Sequence, residues 1–261
     1  MNFAKKSLGQ NFLIDKNIIK KILNLVSIKN KNIIEIGPGR GALTEEILNH
    51  QPKTLILVEK DSHLANKLIE KYKNNKIIKI FNTDILKFDI EKFTKINTNI
   101  FGNLPYNISS QILVKILKYK NWPPKFDNLI FMFQKELGEK IISSYPSKNY
   151  GRLSIISNYR LNVIRKFLIS PNSFFPKPKV NSMVVHFQPK KSDLLDISKI
   201  LKLEKITNIL FSNKRKMINK NIQKILTLNE INSISDLKMN LRPSEIKPEI
   251  YYKIAELFKI N

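Results

Sequence analysis

Asn103-Leu104-Pro105-Tyr106 ends an apolar run, and its residue types suit one task, the presentation of a planar exocyclic amine to an electrophile. The Asn103 amide oxygen can accept one N–H of such an amine, and the Leu104 carbonyl the other. Pro105 fixes the direction of that carbonyl and has no N–H to compete. Tyr106 offers a ring face on which a base can stack. The amino group of adenine is a poor nucleophile, because its lone pair is delocalised into the ring. Two acceptors and a stacked ring favour pyramidalisation and place the nitrogen in line with an electrophilic methyl, which is catalysis by positioning and electrostatics. No strong base is required, since an alkylated aromatic amine releases its proton readily. Alone, these four residues would serve equally well as a β-turn; the neighbouring motifs decide.

Three of the seven glycines in the chain fall at Gly37, Gly39 and Gly41, directly after an apolar run and before a helical pattern. Glycine there lets the backbone turn sharply and approach a ligand, with helix N–H groups facing it. Gly37-x-Gly39-x-x-Ala42 also satisfies the dinucleotide fingerprint, with Glu59 twenty residues beyond Gly39. A carboxylate there accepts hydrogen bonds from ribose hydroxyls, which NAD and S-adenosylmethionine both carry, so the loop leaves the cofactor open. No Gly-Lys-Ser/Thr follows, which excludes a P-loop. Joined to the asparagine–tyrosine motif and to Asp84, the loop points to methyl transfer onto an amine.

The elements that must position these groups follow from hydrophobic patterning. Asp15 can cap a helix whose apolar face is Ile18, Ile19, Ile22, Leu23 and Val26. Strand-like runs at 32–37, 54–59, 77–81, 99–104 and 128–133 alternate with helical patterns starting near Leu43, Asp61 and Ser109. Continuous apolar strands separated by helices are what a doubly covered parallel sheet requires. The fold class is therefore α/β, a Rossmann-like sheet. Runs at 161–169 and 180–187, joined through FFPKPK, read as an antiparallel pair at the sheet edge. After the segment 188–192 the texture changes, and from 193 onward the pattern is helical, ending in a helix that starts at Pro248. The expected division is a catalytic domain over 1–189 and a small all-helical domain over 190–261.

Composition narrows the functional classes. The 261 residues carry a formal net charge of +25. Lysine excess can reflect coding bias on a solvated face, or it can serve a polyanionic partner. There is no cysteine, which excludes disulfides and thiolate chemistry, and the three histidines are too scattered for a zinc site, so no metal is expected. No apolar run approaches the roughly 18 residues of a membrane span. The opening MNFAKKSLGQNF lacks an apolar signal core, so the expected location is the cytoplasm. A monomer is expected.

The motifs KSLGQNFL (6–13), EIGPGRGALT (35–44), VEKD (58–61), Asp84, NLPYNIS (103–109), FMFQKE (131–136) and FFPKPKVNSMVV (174–185) together resemble the KsgA/RsmA family, the small-subunit ribosomal RNA adenine dimethyltransferases. The resemblance runs through FSNKRKMINKNI (211–222) and so covers essentially the whole chain. It implies S-adenosyl-L-methionine as cofactor, with contacts from Asn11, Leu13, Gly37, Glu59, Asp84 and Asn103. Glu59 would suit the ribose hydroxyls and Asp84 the cofactor's adenine amino group. Glu35 would order the glycine loop or meet the methionine end. Phe174 matches the aromatic that sandwiches the target base opposite the tyrosine in related enzymes; the alternative for it is a packed core phenylalanine. The implied substrate is two adjacent adenosines in the 3′-terminal hairpin loop of 16S rRNA, each dimethylated at N6 within a small ribosomal subunit precursor. Lysine or asparagine stands where relatives often carry arginine.

Residues 140–192 hold ten Lys and Arg and no acid, interleaved with aromatics. A second acid-free stretch, 205–229, carries Lys214, Arg215, Lys216 and Lys220. Random lysine excess would intersperse acids, so these gaps favour a nucleic-acid surface. An adenine stacked in a helix cannot reach the pocket, and the target must be unpaired or flipped. Two other functions compete. One is an Erm-type methyltransferase acting on 23S rRNA, against which the LGQNFL opening and FSNKRK weigh. The other is a non-catalytic ribosome assembly factor on the same fold, against which the intact Asn103, Pro105 and Tyr106 weigh.

Overall fold

The computed structural model describes residues 10–192 and 196–259. Residues 6–9 of the opening motif, and 193–195 at the predicted start of the helical part, lie outside the described residues. In chain order the elements are β1 (Phe12–Leu13), α1 (Lys16–Leu23), β2 (Asn32–Ile36), α2 (Ala42–Asn49), β3 (Thr54–Glu59), α3 (Ser62–Tyr72), β4 (Ile78–Asn82), α4 (Ile90–Phe93) and β5 (Thr98–Asn103). Then come α5 (Ser109–Leu117), β6 (Phe126–Gln134), α6 (Lys135–Ile142), α7 (Arg152–Arg160), β7 (Leu161–Ile169), β8 (Phe174–Phe175) and β9 (Ser182–Pro189). The C-terminal part is helical: α8 (Ile197–Phe211), α9 (Asn219–Ile222), α10 (Leu228–Ser233) and α11 (Pro248–Leu257).

Seven strands form one sheet in the order β4-β3-β2-β5-β6-β9-β7. The five from β4 to β6 are parallel, and β9 runs antiparallel to β6. The central strand β2 reads NIIEI, with Ile33, Ile34 and Ile36 at most 1% exposed, so both of its faces are covered. Each such side chain contributes about 1.5–3 kcal/mol by leaving water. Aspartates cap both α1 and α3. Asp15 accepts the N–H groups of Asn17 and Ile18 at the head of α1, and Asp61 that of His63 at the head of α3. The fold is thus a Rossmann-like α/β sheet. The chain order reverses between β2 and β5, and ligands of open α/β sheets bind in the crevice beyond the strand ends at such a reversal.

Sequence patterning misses α6 and α7, and it misses a second, two-stranded sheet. The connection between β7 and β9 is not a simple link. Its β8 pairs antiparallel with β1, Phe12 opposite Phe175 and Leu13 opposite Phe174. The strand β9 lies inside the sheet, between β6 and the edge strand β7.

The described residues fall into two compact units. The first takes 10–116, 124–138 and 162–189; the second takes 117–123, 139–161 and the chain from 190 onward. One crossing coincides with the division at 189/190, but two earlier segments also join the helical unit. Arg160 shows why they belong there. It is fully buried, donates to the carbonyls of Leu117 and Tyr119 at 2.6 and 3.0 Å, and lies 4.4 Å from the Trp122 ring centre. Lys190 in the same unit donates to the Asn158 carbonyl at 2.5 Å. Two cations of the acid-free stretch 140–192 are therefore structural.

Candidate active site

Gly37, Gly39 and Gly41 follow β2 with φ of 68°, 59° and 83°, backbone that side-chain-bearing residues rarely adopt. At Gly39 a Cβ would also sit 2.9 Å from Cδ1 of Phe12, so the loop is both left-handed and closely covered. A Cβ on Gly37 would meet the Asn103 carbonyl at 3.5 Å, which places the loop against the end of β5.

The Glu59 carboxylate holds this loop to the end of β3. Oε2 accepts the Gly39 N–H at 3.0 Å and Oε1 the Asp61 N–H at 2.8 Å. Each oxygen keeps a further lone pair for a ligand hydroxyl. Burial pushes the Glu59 carboxyl up from its ordinary range, and these backbone donors oppose that. Glu35 plays a different part. It is buried and accepts from Thr44 Oγ1 at 2.7 Å, which ties β2 to α2. Burial raises its carboxyl to about 7, against the Thr44 hydrogen bond and with a smaller push from the Glu59 charge. It does not line the cleft.

Beyond β4, Asp84 pairs with Lys60 at 2.8 Å and accepts the Leu86 N–H at 2.9 Å. The Lys60 ammonium holds its carboxyl below the usual range, so it stays an acceptor. At the end of β5 the Asn103 Nδ2 donates to the Asn11 carbonyl at 2.8 Å. The Tyr106 hydroxyl shares a 2.6 Å hydrogen bond with Ser182 Oγ. Burial raises the Tyr106 phenol further, so it remains neutral.

These groups converge on one cleft. Asn11, Gly37, Glu59, Asp84, Asn103, Leu104, Pro105 and Tyr106 all line it. Leu13 and Phe174 are not among its lining residues. Both are core side chains, 5% and 3% exposed, in one cluster with Ile19 and Ile169. The register of β1 against β8 is the reason. Paired residues share a face and successive residues alternate, so Leu13 and Phe174 turn into the core together. Their neighbours turn the other way: Phe12 lines the cleft, and Phe175 is 54% exposed. The Arg40 guanidinium of the glycine loop rests 4.6 Å from the Phe12 ring centre and 5.6 Å from that of Phe175. Sequence reasoning missed Phe12 and Lys60. Their adjacency to Asn11 and Glu59 was the available signal.

The cleft fits a nucleoside bearing a sulfonium side chain. It is a glycine cradle that a Cβ would fill, with a carboxylate for ribose and another for an amino group. Comparison with known proteins agrees. The chain is 44% identical to the ribosomal RNA small subunit methyltransferase A of Pelagibacter ubique, over 98% of this chain and 97% of that protein. It is 39% identical to the protein of the same name from Malacoplasma penetrans, over 97% and 91%. Among solved structures, a dimethyladenosine transferase from Plasmodium falciparum superimposes with a TM-score of 0.75 at 25% identity, over 93% and 95% of the two chains. The 23S rRNA methyltransferase ErmE shares the fold, with a TM-score of 0.67 at 21% identity over 95% and 99%. The model of the ribosomal RNA adenine dimethylase family matches residues 1–259. With only the last two residues outside that match, the chain belongs to the ribosomal RNA adenine dimethylase family.

Proposed function

We propose that this protein dimethylates the N6 amino groups of two adjacent adenosines in the 3′-terminal hairpin loop of 16S rRNA, acting on a small ribosomal subunit precursor as a cytoplasmic monomer. The observation that carries the reading is the meeting of Asn103 and Leu104, at the end of β5, with the glycine loop and Glu59 in one cleft. S-adenosylmethionine would supply the methyl group on a sulfonium, and Gly37, Glu59 and Asp84 would hold its nucleoside. Asn11 anchors the Asn103 amide, so Asn103 Oδ1 is presented as an acceptor. The Leu104 carbonyl accepts no hydrogen bond among the described residues and is the second acceptor. Tyr106, fixed at its hydroxyl by Ser182, offers its ring to the target base. The exposed Lys214, Arg215, Lys216 and Lys220 would meet RNA phosphates. Relatives named for the small subunit match at higher identity than the 23S enzyme, whose likeness concerns the fold.

The test is mass spectrometry of ribosomal RNA from cells lacking the protein, paired with methylation of their purified small subunits in vitro. Loss of dimethyladenosine from 16S rRNA, restored by the purified protein and S-adenosylmethionine, is expected. An unchanged 16S rRNA with methylation lost from 23S rRNA would replace this reading with the large-subunit one.

A further inference from the structure

A groove separate from the cleft lies on the first unit, between α1 and the edge strand β7. It is open to solvent. Lys20 and Lys21 of α1 line one wall, and Arg165 and Lys166 of β7 the other. Leu25 and Phe167 contribute apolar surface between them, and the Lys21 ammonium sits 4.3 Å from the Phe167 ring centre.

All four cations are exposed, and none makes an ion pair among the described residues. Neither α1 nor β7 contains an acid. The one acid at the start of α1, Asp15, is spent on the N–H groups of Asn17 and Ile18 and on the Ser173 hydroxyl. Coding bias scatters lysines; it does not gather four unpaired cations from two distant chain segments into one concavity. Like charges held together repel, and a polyanion in the groove removes that cost. The aromatic floor suits a ribose or an unstacked base, and Asn17 and Asn24 on the same groove add amide donors.

Hydrogen bonds also tie the element that lines the groove to the segment that bounds the cleft. Ile14 N–H donates to the Ser173 carbonyl at 2.9 Å, and Ser173 Oγ donates to Asp15 at 3.0 Å. These bonds tie the head of α1 to the turn after β7, beside the β1–β8 sheet that carries Phe12 to the cleft. We propose that Lys20, Lys21, Arg165 and Lys166 form a phosphate-binding groove, which holds the sugar–phosphate backbone of the RNA whose base enters the cleft. The proposal rests on the reading of the cleft as RNA-modifying.

The experiment is a filter-binding titration across salt concentrations, on unmethylated small ribosomal subunits and on protein-free 16S rRNA. It compares the wild type with the variant K20Q/K21Q/R165Q/K166Q. If the four side chains neutralise phosphates, the log–log salt slope flattens by about three units with both ligands, and affinity drops about tenfold or more. Calorimetric affinity for S-adenosylmethionine and turnover at saturating subunits stay at the wild-type level. The doubles K20Q/K21Q and R165Q/K166Q each give about half the change, which keeps the test open should the quadruple variant not fold. An unchanged slope in variants with wild-type thermal melting overturns the proposal. So does a slope change seen with subunits and not with protein-free RNA, which would assign the groove to an acidic ribosomal protein. A wild type that methylates normally beside an unaffected variant refutes the groove alone; a wild type that methylates no subunit refutes the reading of the cleft.

Discussion

The Asn103 side chain donates its amide N–H to the backbone carbonyl of Asn11, 92 positions away in sequence, at 2.8 Å. That bond decides which end of the amide meets a substrate: nitrogen is occupied, oxygen is presented. Asn103→Asp keeps the shape but sets a carboxylate oxygen against the Asn11 carbonyl. Asn103→Asp and Asn103→Ala are both expected to lower single-turnover methyl transfer by about 10²–10³, the usual cost of losing one placed transition-state partner. Wild-type turnover in either would remove Asn103 from the chemistry.

Tyr106 separates stacking from hydrogen bonding. Tyr106→Phe loses only the Ser182 contact, which is worth about 0.5–1.5 kcal/mol, so its turnover should lie within about tenfold of wild type. Tyr106→Ala loses the ring and should be far slower. Equal loss in the two variants, measured under the same saturating conditions, would show that the hydroxyl matters and the ring does not.

Glu59 has two duties, and its replacement should show both. Glu59→Ala releases the Gly39 and Asp61 N–H groups and removes the acceptor for ribose. Hydrogen bonds to a charged group are worth about 1.5–3 kcal/mol, so S-adenosylmethionine affinity should drop by roughly one to two orders of magnitude. Thermal melting of the free protein should fall as well, because the loop loses its tie to β3. Calorimetric binding at the wild-type level would take Glu59 out of the site.

The raised carboxyl of Glu35 makes stability depend on pH with a definite sign. Below the ordinary glutamate range it is protonated in both folded and unfolded chains. As pH rises toward about 7 the unfolded chain ionises while the folded protein keeps its proton, so stability falls. The loss is complete above about 7 and amounts to about 3 kcal/mol at most. Glu35→Gln retains an acceptor for Thr44 and cannot ionise. Its melting temperature should exceed the wild-type value increasingly between about pH 5 and 8. Parallel melting curves across that range would show that Glu35 does not titrate there.

Much of this architecture is legible in local patterning, because parallel strands buried on both faces leave continuous apolar runs. The runs IIEI and LILVE, and the glycines that must follow the first of them, are of that kind. What escaped depends on partners distant in sequence. Two-residue strands such as β1 and β8 have no periodicity to read, and only their mutual register decides which of Phe174 and Phe175 turns inward. The part that Arg160 and Lys190 play in the helical unit is equally hidden, since a cation holding backbone carbonyls looks like any other basic residue in a basic chain.

The β1–β8 pair has a consequence for the order in which the protein is made. Phe12, which covers the glycine loop, is held by a strand whose partner residue, Phe175, leaves the ribosome more than 160 residues later. At synthesis rates of about 5–20 residues per second, that interval is roughly ten to thirty seconds. During it β2 to β5 can assemble, the loop can turn and Asn103 can take hold of the Asn11 carbonyl, but the strand that carries Phe12 still lacks its pairing partner. A nascent chain therefore carries a recognisable pocket whose covering strand is not yet paired, and the pairing is completed only when the segment 174–175 meets residues made near the start of translation.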